Sequence, residues 1–443
     1  MIDRVLDALA RRAGAGDVIG RTEERTSITF ESGRLKSAGI TAESGINVRV
    51  VQDGRVGVAG TTATDAPPGD VVARAIASAE LGETLALPFP AAAPLPELRT
   101  RFAGAADASV DQLTRIGRGL MERLTREGCQ INVQVEREVA SSAFANTAGA
   151  RYDWPATGVS VAADVTRVAG DDVLMVYDYW TGAGLPTDAD LDALVRSIET
   201  RLTLGLRIAA PPDGSLPVIF TPAGLSAILL PLEQSLSGKA VVQGTSKLAG
   251  RVGEAAFDPR FSLGDDPLAP GRAGSRPVDD EGVPSARLSL IERGAVRAFI
   301  YDLETAARSG NGARSTGHGR RGTFGKPGLG YTNLIVGEGG RGKGEGGMEI
   351  GGGLVGDIAD GLIVDDLIGV GQGNVIGGAF SHPVGLAFRV EKGEITGRVK
   401  DAAVAGNVYD LLKKIGGWGR DGRWLGSRWS ASLLLEGVSV AGR

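Results

Sequence analysis

The sequence predicts an α+β fold in two domains, and three features of its 443 residues support this prediction. A chain of this length corresponds to two or three domains of ordinary size. The run Ala210-Pro211-Pro212-Asp213-Gly214 marks a break, because paired prolines and Asp-Gly both end regular structure. Helical and strand patterns are mixed before the break, whereas short strands and glycine-rich loops dominate after it. We therefore expect an α+β domain over residues 1–209 and a mainly antiparallel-β domain over residues 215–443.

The helices of the first domain are predicted from apolar residues that recur every three or four positions. Asp70 is expected to cap one of these helices, and Gly205 is expected to end another. The predicted helices are MIDRVLDALARRAG at the amino terminus, Asp70–Leu81, Val110–Arg126 and Asp188–Leu204.

The strands of the first domain are predicted from alternation of apolar and polar residues. Asp53-Gly54 lies between the alternating runs Ile46–Val51 and Val56–Ala59, which is typical of a tight hairpin turn. The other predicted strands are Thr26–Phe30, Gln130–Val139, Val159–Val168 and Val173–Tyr179.

The second domain is predicted to begin with a short strand, Pro217–Phe220, and an apolar helix, Ala223–Leu236. Arg293-Gly294 predicts a further hairpin turn between Arg287–Ile291 and Val296–Tyr301. The remaining predicted elements are strands at Leu334–Val336, Leu362–Val364, Leu386–Val390, Ile395–Val399 and Leu433–Val440, and a helix at Val408–Ile415.

The charge balance argues against general binding to nucleic acid. A formal charge of -5 and a pI of about 5.4 supply no broad positive field for a phosphate backbone. No stretch approaches the roughly 18 apolar residues of a membrane-spanning helix, and the amino terminus lacks the apolar core of a signal peptide. Cys129 is the single cysteine, which agrees with a reducing compartment. We therefore expect a cytoplasmic protein with no membrane segment.

Histidine is as scarce as cysteine, and this limits the metal chemistry of the chain. His318 and His382 are the two histidines, and neither has a second histidine three or four residues away. An ordinary zinc hydrolase site built from histidine and cysteine is therefore excluded for this chain alone. Arg320 and Arg321 follow His318 and form a cationic cluster able to hold a carboxylate or phosphate. The alternative is a solvated loop, and a structural or surface role is favoured for both histidines.

Acidic pairs and one glycine-rich segment are weaker candidates. Asp265-Asp266, Asp279-Asp280-Glu281 and Asp365-Asp366 have the residue types for acid–base work or for Mg²⁺ or Ca²⁺ binding, but their neighbours favour turns. The segment Gly337–Gly344 nearly matches a phosphate-binding loop. Gly344 stands where that motif needs a hydroxyl, so a plain loop is the preferred interpretation.

The segment Trp418–Trp429, WGRDGRWLGSRW, is the densest signal in the sequence. It holds three of the five tryptophans together with three arginines. Such a segment can stack guanidinium groups on indole rings, seat a peptide or fill a groove of a partner protein. It could equally pack its tryptophans onto the core of its own domain. Single-stranded nucleic acid is a third ligand for this composition, and the overall acidity counts against it.

Several segments together resemble the TldD/PmbA family, whose members were once called modulators of DNA gyrase. The carrying segments include GTSKLAGRVGEAAFDPRFSLGDDP, TGHGRRG and YTNLIVGEG in the second domain, and ITFESGRLKSAGITAESGINVRVVQDGRVGVAGTT in the first. Asp280-Glu281-Gly282 and Thr332-Asn333-Leu334 occur in order with suitable spacing. The resemblance spans nearly the whole chain, and the expectation of a TldD/PmbA-like α+β fold rests partly on it.

The resemblance implies the subunit type that lacks a zinc site. TldD-type subunits have an H-E-x-x-x-H helix and a cysteine near the end of the chain. In the corresponding helix, Ala227–Gly238, Pro231, Leu232 and Leu236 fall at about the three defining positions. Ser427 or Ser430 lies near the place of the cysteine. The chain is therefore similar to TldE/PmbA-type subunits, and no catalytic or metal-binding residue is expected in it.

The same resemblance implies a heterodimer with a TldD-like metallopeptidase that carries the zinc and processes or degrades unfolded peptides or peptide precursors. Two alternatives remain, a homodimeric peptide-binding protein without hydrolytic activity and a regulator of DNA gyrase. The acidic charge makes the gyrase alternative the least favoured. The residues expected at the substrate or the interface are His318, Arg320, Arg321, Asn333, Trp418, Arg423, Trp424 and Trp429.

Overall fold

The computed structural model describes residues 1–63, 65–338 and 349–442. Most of the glycine-rich segment Gly337–Gly344 lies outside these residues. Helices and antiparallel strands occur together, which confirms the predicted α+β class. Within the described residues, no helix is long and apolar enough to cross a membrane.

The first part of the chain forms a six-stranded antiparallel sheet in the order β3-β2-β1-β4-β5-β6. Its predicted hairpin turn is confirmed, since Val51 pairs with Val56 and both Asp53 and Gly54 have positive φ. The strands are β1 (Ala15–Glu31), β2 (Arg34–Gln52), β3 (Arg55–Thr61), β4 (Cys129–Asn146), β5 (Arg151–Ala169) and β6 (Asp172–Gly182).

Helices cover one face of this sheet, because their apolar residues fall on a single side. Thr187 caps the longest of them, because its side chain accepts a hydrogen bond from the Asp190 backbone N–H. In return, the Asp190 side chain accepts a hydrogen bond from the Thr187 backbone N–H. The helices of this region are α1 (Ile2–Arg12), α2 (Pro68–Glu80), α3 (Ala103–Ala106), α4 (Val110–Leu124) and α5 (Asp188–Gly205).

The second part of the chain forms an eight-stranded mixed sheet, a six-stranded mixed sheet and a two-stranded ribbon. Most of their pairs are antiparallel, as predicted, and β8 with β15 is one of the parallel exceptions. The strands are β7 (Ile208–Ala209), β8 (Gly214–Phe220), β9 (Ser262–Asp265), β10 (Leu288–Glu292), β11 (Ala295–Val296), β12 (Gly319–Arg320), β13 (Gly328–Leu329), β14 (Leu334–Gly337), β15 (Asp360–Leu367), β16 (Ala379–Glu391), β17 (Glu394–Val399), β18 (Ala402–Asn407), β19 (Ile415–Trp418), β20 (Arg423–Leu425), β21 (Arg428–Ser430) and β22 (Leu433–Gly442).

The helices of this second part are short. They are α6 (Ser226–Ser235), α7 (Gly238–Val242), α8 (Leu303–Arg308) and α9 (Val408–Leu411), with 3₁₀ turns at Val355–Asp357 and Val375–Gly377. Helix α6 follows β8 directly and packs its apolar residues into the largest hydrophobic core.

Helix α5 connects the two parts through a shared core. Its Ile198 and Leu202 pack in one hydrophobic cluster with Val176 of β6 and with Ile363 and Phe388 of the eight-stranded sheet. The first-part sheet therefore packs against the second part through α5 rather than being separated from it by a linker.

Several local predictions were wrong in extent. Pro67, not Asp70, is the residue that precedes helix α2, and its side chain makes no capping hydrogen bond. The predicted helix Val408–Ile415 ends at Leu411, because Ile415 joins the sheet by pairing with Leu435. The hairpin at Arg293-Gly294 is confirmed, but its second strand is only Ala295–Val296.

Candidate functional site

A buried ionic network joins the first-part sheet to loops of the second part. Arg49 of β2 donates to Glu281 at 2.5 Å and to Asp17 of β1, and all three side chains are at most 1% exposed. Arg321 Nη1 donates to Asp17 at 2.7 Å, and Arg321 Nη2 bonds to the Asn47 side chain. We call these five residues the ionic network.

Asp280 extends the contacts of this network. Arg21 of β1 donates to Asp280 at 3.1 Å, the Arg321 backbone N–H donates to it at 2.9 Å, and Arg276 lies 3.8 Å away. Neighbouring Asp279 instead accepts backbone N–H bonds within its own turn and from Gly319. The predicted turn role therefore holds for Asp279, whereas Asp280 crosses between the two parts of the molecule.

Burial shifts the pKa values of Glu281 and Arg320 in opposite directions. Burial raises the pKa of Glu281 to about 7; Arg49 opposes this rise, while Asp279 and Asp302 add to it. Burial lowers the pKa of Arg320 to about 10. Both shifts follow from the cost of holding a charge away from water.

His318 and Asn333 are fully buried in loops of the second part. His318 Nε2 lies 3.1 Å from Asp265, and its Nδ1 lies 2.8 Å from the Thr316 hydroxyl. Asn333 Nδ2 donates to the Asp266 carbonyl at 2.8 Å. These contacts position loops, so His318 does not lie in the solvated loop that was its alternative interpretation.

A cavity of about 320 Å³ lies between α5, the end of β6 and the β20–β21 hairpin. We call it the Trp424 cavity. Its lining combines aromatic, apolar and charged side chains, and the lining residues are Tyr179, Trp180, Ala189, Asp190, Ala193, Leu194, Arg196, Ser197, Thr200, Arg201, Thr221, Pro222, Arg272, Glu349, Ile350, Asp421, Gly422, Arg423 and Trp424.

Arg201 and Arg423 line the Trp424 cavity and bond to buried carboxylates that are not part of its lining. Arg201 donates from Nε to Asp365 at 2.6 Å and from Nη1 to Asp178 at 3.3 Å. Arg423 Nη1 donates to Asp178 at 2.7 Å, and the Ser197 hydroxyl also donates to Asp178. Burial raises the pKa of Asp178, but Arg423 and Arg201 outweigh it and hold that pKa below its usual range.

The structure separates the predicted site residues into different regions. Arg423 and Trp424 line the cavity, and the Arg272 guanidinium stacks on the Trp424 ring 4.6 Å from its centre. Trp429 pairs with Trp424 across the hairpin and is 9% exposed. The Trp418 indole N–H donates to the Arg260 carbonyl at 3.1 Å, outside the cavity.

Of the four other predicted residues, one belongs to the ionic network and three contact loops of the second part. Arg321 belongs to the network, Arg320 Nη2 donates to the Tyr331 carbonyl at 3.3 Å, and His318 and Asn333 hold neighbouring loops. None of these four lines the Trp424 cavity.

The sequence patterns did not single out Ser197 and Arg201, which line the cavity, or Asp178, to which both side chains bond. Asp178 continues the buried phase of Leu174 and Val176 along β6. A carboxylate in the buried phase of an apolar strand is a signal that could have identified it, because such a charge needs partners. Ser197 and Arg201 are four residues apart and therefore share one face of α5.

Helix α6 and the residue after it carry apolar side chains at about the positions that the sequence resemblance to TldD-type subunits implies for the H-E-x-x-x-H motif. Leu232 and Leu236 are 0% exposed and belong to the largest hydrophobic core, and Pro231 is buried inside the helix. These side chains have no atom that binds zinc, so the positions do not fit the metal. Over the described residues, no group of three His, Cys, Asp or Glu side chains is arranged to hold a metal ion.

Comparison with protein families gives two matches. The model of the PmbA/TldA metallopeptidase C-terminal domain matches residues 213–442, just over half of the chain. The model of PmbA/TldA metallopeptidase domain 1 matches residues 16–80.

Curated relatives are named as metalloproteases. A metalloprotease of Methanothermobacter thermautotrophicus is 24% identical over 95% of this chain and 91% of its own length. In Haemophilus influenzae, a TldD homologue is 28% identical and a PmbA homologue is 26% identical. These two alignments cover 52% and 51% of this chain, and 46% of each relative.

Solved structures share the fold over the full length. TldE from Thermococcus kodakarensis superposes with a TM-score of 0.88 at 22% identity, covering 99% of both chains. A Thermotoga maritima protein described as a candidate modulator of a DNA gyrase gives a TM-score of 0.86 at 23% identity, again over 99% of both chains.

Proposed function

The chain belongs to the PmbA/TldD metallopeptidase family, and from this membership we propose that it is a non-catalytic, TldE-like subunit that pairs with a TldD-like zinc metallopeptidase. In this proposal the pair acts in the cytoplasm on unfolded peptides or peptide precursors, and the zinc belongs to the partner.

One observation carries the proposal. The side chains of Pro231, Leu232 and Leu236 are packed inside the protein. By the sequence resemblance, these residues fall at about the positions of His, Glu and His in a TldD-type helix. Leucine and proline supply neither a zinc ligand nor a general base, so these three positions can serve the fold but not the hydrolysis of a peptide bond. The full-length likeness to a TldE structure supports the same subunit type.

A second candidate function is peptide binding by a homodimer without hydrolysis. The Trp424 cavity favours it, because aromatic and apolar walls with a few charged groups are typical of sites that bind small ligands or side chains. Regulation of DNA gyrase has no comparable support, since the chain is acidic.

Metal analysis and mass measurement test the proposal. We expect the purified chain to contain well under one zinc per molecule, and an equimolar mixture with a TldD-like subunit to elute as a heterodimer with zinc. Stoichiometric zinc in the isolated chain would contradict the proposal. A stable homodimer that ignores several TldD-like subunits would instead favour the second candidate.

A further inference from the structure

The Trp424 cavity has an apolar side and a cationic side. Leu194 of α5, Pro222 and the Trp424 ring supply the apolar surface, and Arg423 and Arg272 supply the positive charge. A ligand that matches this wall must join an apolar or aromatic group to an anion within a few ångströms.

Arg423 uses only one of its three guanidinium nitrogens in hydrogen bonds to the described residues. Its Nη1 bonds to Asp178 at 2.7 Å and lies 3.5 Å from the Ser197 hydroxyl. Its Nε and Nη2 make no hydrogen bond to any other described residue, and its side chain is 27% exposed. A guanidinium held on one side in this way is oriented, which lowers the cost of binding a carboxylate on the other side.

The acids of the lining limit the charge of the ligand. Asp190 is engaged in the cap of α5, and Asp421 accepts hydrogen bonds from the backbone and hydroxyl of Ser432. Glu349 is exposed. These three carboxylates would repel a dianion such as phosphate. A single carboxylate carries less charge and can bind on the side of the cavity where the guanidinium groups lie.

An apolar track leads to the cavity along the edge strand β6. Val173, Met175 and Tyr177 point outward and are 51%, 60% and 55% exposed. The Tyr177 ring lies 5.6 Å from that of Tyr179, which lines the cavity. Three large exposed apolar side chains in one row are unusual for a surface strand, and their row ends at the cavity.

We propose that the Trp424 cavity binds the carboxy-terminal residue of a peptide. The α-carboxylate bonds to Arg423, the apolar or aromatic side chain packs against Trp424 and Leu194, and the preceding residues follow the track of β6. This assignment rests on the proposed function only in naming a peptide as the ligand. The binding belongs to this chain alone and needs neither zinc nor a partner.

Calorimetric titration of the isolated chain with short peptides tests this assignment. The probes are N-acetyl-Ala-Ala-Phe as the free acid, the same peptide as its C-terminal amide, and the amide of N-acetyl-Ala-Asp-Phe. We expect the free acid to bind at least about tenfold more tightly than the amide, a difference of about 1.4 kcal/mol. The amide with the internal Asp is expected to bind as weakly as the plain amide.

Three cavity variants and two matched controls assign the effect. Arg423→Gln is expected to abolish the preference for the free acid, Arg423→Lys to retain part of it, and Trp424→Ala to weaken both peptides about fivefold or more. Trp418→Phe and Arg420→Gln lie in the same segment but outside the cavity lining, and are expected to leave binding unchanged.

The opposite results overturn the assignment. They are equal binding of acid and amide to the unsubstituted chain, tight binding of the amide with the internal Asp, or a preference for the acid that survives Arg423→Gln. If Arg423→Gln fails to fold, because Asp178 loses a partner, Trp424→Ala and the acid–amide comparison still decide. Because no hydrolysis is measured, a failure to pair with a TldD-like subunit leaves this result standing.

Discussion

The ionic network and the Trp424 cavity both contain arginines that bond to carboxylates, but they differ in whether those arginines keep hydrogen-bond donors that a ligand can reach. In the ionic network, Arg49 and Arg321 are at most 1% exposed and are directed at Asp17, Glu281 and Asn47 of the same chain. Such groups fix how two parts of a protein pack.

In the cavity, Arg423 bonds to Asp178 through Nη1, and its side chain is partly exposed. Its Asp178 bond positions the guanidinium, and its remaining donors lie where a ligand can reach them. The difference shows that arginine content alone does not identify a binding site. A useful criterion is whether unbonded donors reach solvent, because Arg49 Nε and Arg321 Nε also lack a hydrogen-bond partner among the described residues but are buried.

We expect the largest loss in the free energy of unfolding when the ionic network is broken. Arg321→Ala removes a buried cation from Asp17, and breaking a buried pair on one side costs about 3–5 kcal/mol. Urea unfolding followed by circular dichroism measures the loss. Arg34→Ala, at an exposed position, is the matched control and should change the free energy of unfolding by less than about 0.5 kcal/mol. Equal losses in the two variants would show that the network does not hold the two parts together.

The pH dependence of stability tests the same network through Glu281. Its folded pKa of about 7 lies above its unfolded value near 4.5, so the folded protein binds more protons at this group. The associated stability is complete below about pH 4.5 and is lost as the pH rises to about 7, by about 3 kcal/mol for the shift itself. Glu281→Gln cannot titrate there. We expect its free energy of unfolding, measured by urea titration from pH 5 to 8, to lack this decline. Parallel profiles for the two proteins would contradict the raised pKa.

The tryptophans of the Trp418–Trp429 segment should separate into packing and cavity residues. Trp418 stacks on Phe261 with ring centres 6.4 Å apart and donates to a backbone carbonyl, so Trp418→Ala is expected to cost about 2 kcal/mol. Trp424→Ala should cost less than about 1 kcal/mol, because its ring faces a cavity. Thermal unfolding measures the stability of the two variants. A larger loss for Trp424→Ala than for Trp418→Ala would contradict the division into packing and cavity residues.

The smallest effect is expected at the exposed track. Tyr177→Ser should change the free energy of unfolding by less than about 0.5 kcal/mol, since the side chain is 55% exposed. It should weaken binding of the free-acid peptide about threefold, as measured by calorimetry. Leu35→Ser on β2, 47% exposed and distant in sequence, is the control that should leave binding intact. Loss of affinity in both variants would argue against a defined track.

Turns and element types were predictable from the sequence, because their signals are local. Asp53-Gly54 and Arg293-Gly294 each supply two residues that adopt positive φ, and both hairpins form there. Strand lengths were not predictable in the same way. β1 was predicted only over Thr26–Phe30 but begins at Ala15, since β2 and β4 pair with it on both sides and continue the strand through polar residues.

The candidate site was only partly predictable. Arg423 and Trp424 were singled out by the unusual composition of their segment, whereas Asp178 was not. Asp178 and Arg423 are 245 residues apart, and their contact exists only because the β20–β21 hairpin folds over the end of β6. His318 could not be assigned to Asp265 for the same reason, since that contact spans 53 residues and depends on the loops of the second part.

The most direct test of the proposed subunit role is peptide hydrolysis by the reconstituted pair. A TldD-like subunit and this chain are assayed separately, together, and together with the glutamate of the partner's H-E-x-x-x-H motif replaced by glutamine. We expect turnover by the unaltered mixture, none by this chain alone, and none by the mixture with the altered partner. Turnover by this chain alone, unaffected by the partner's substitution, would contradict the proposed subunit role.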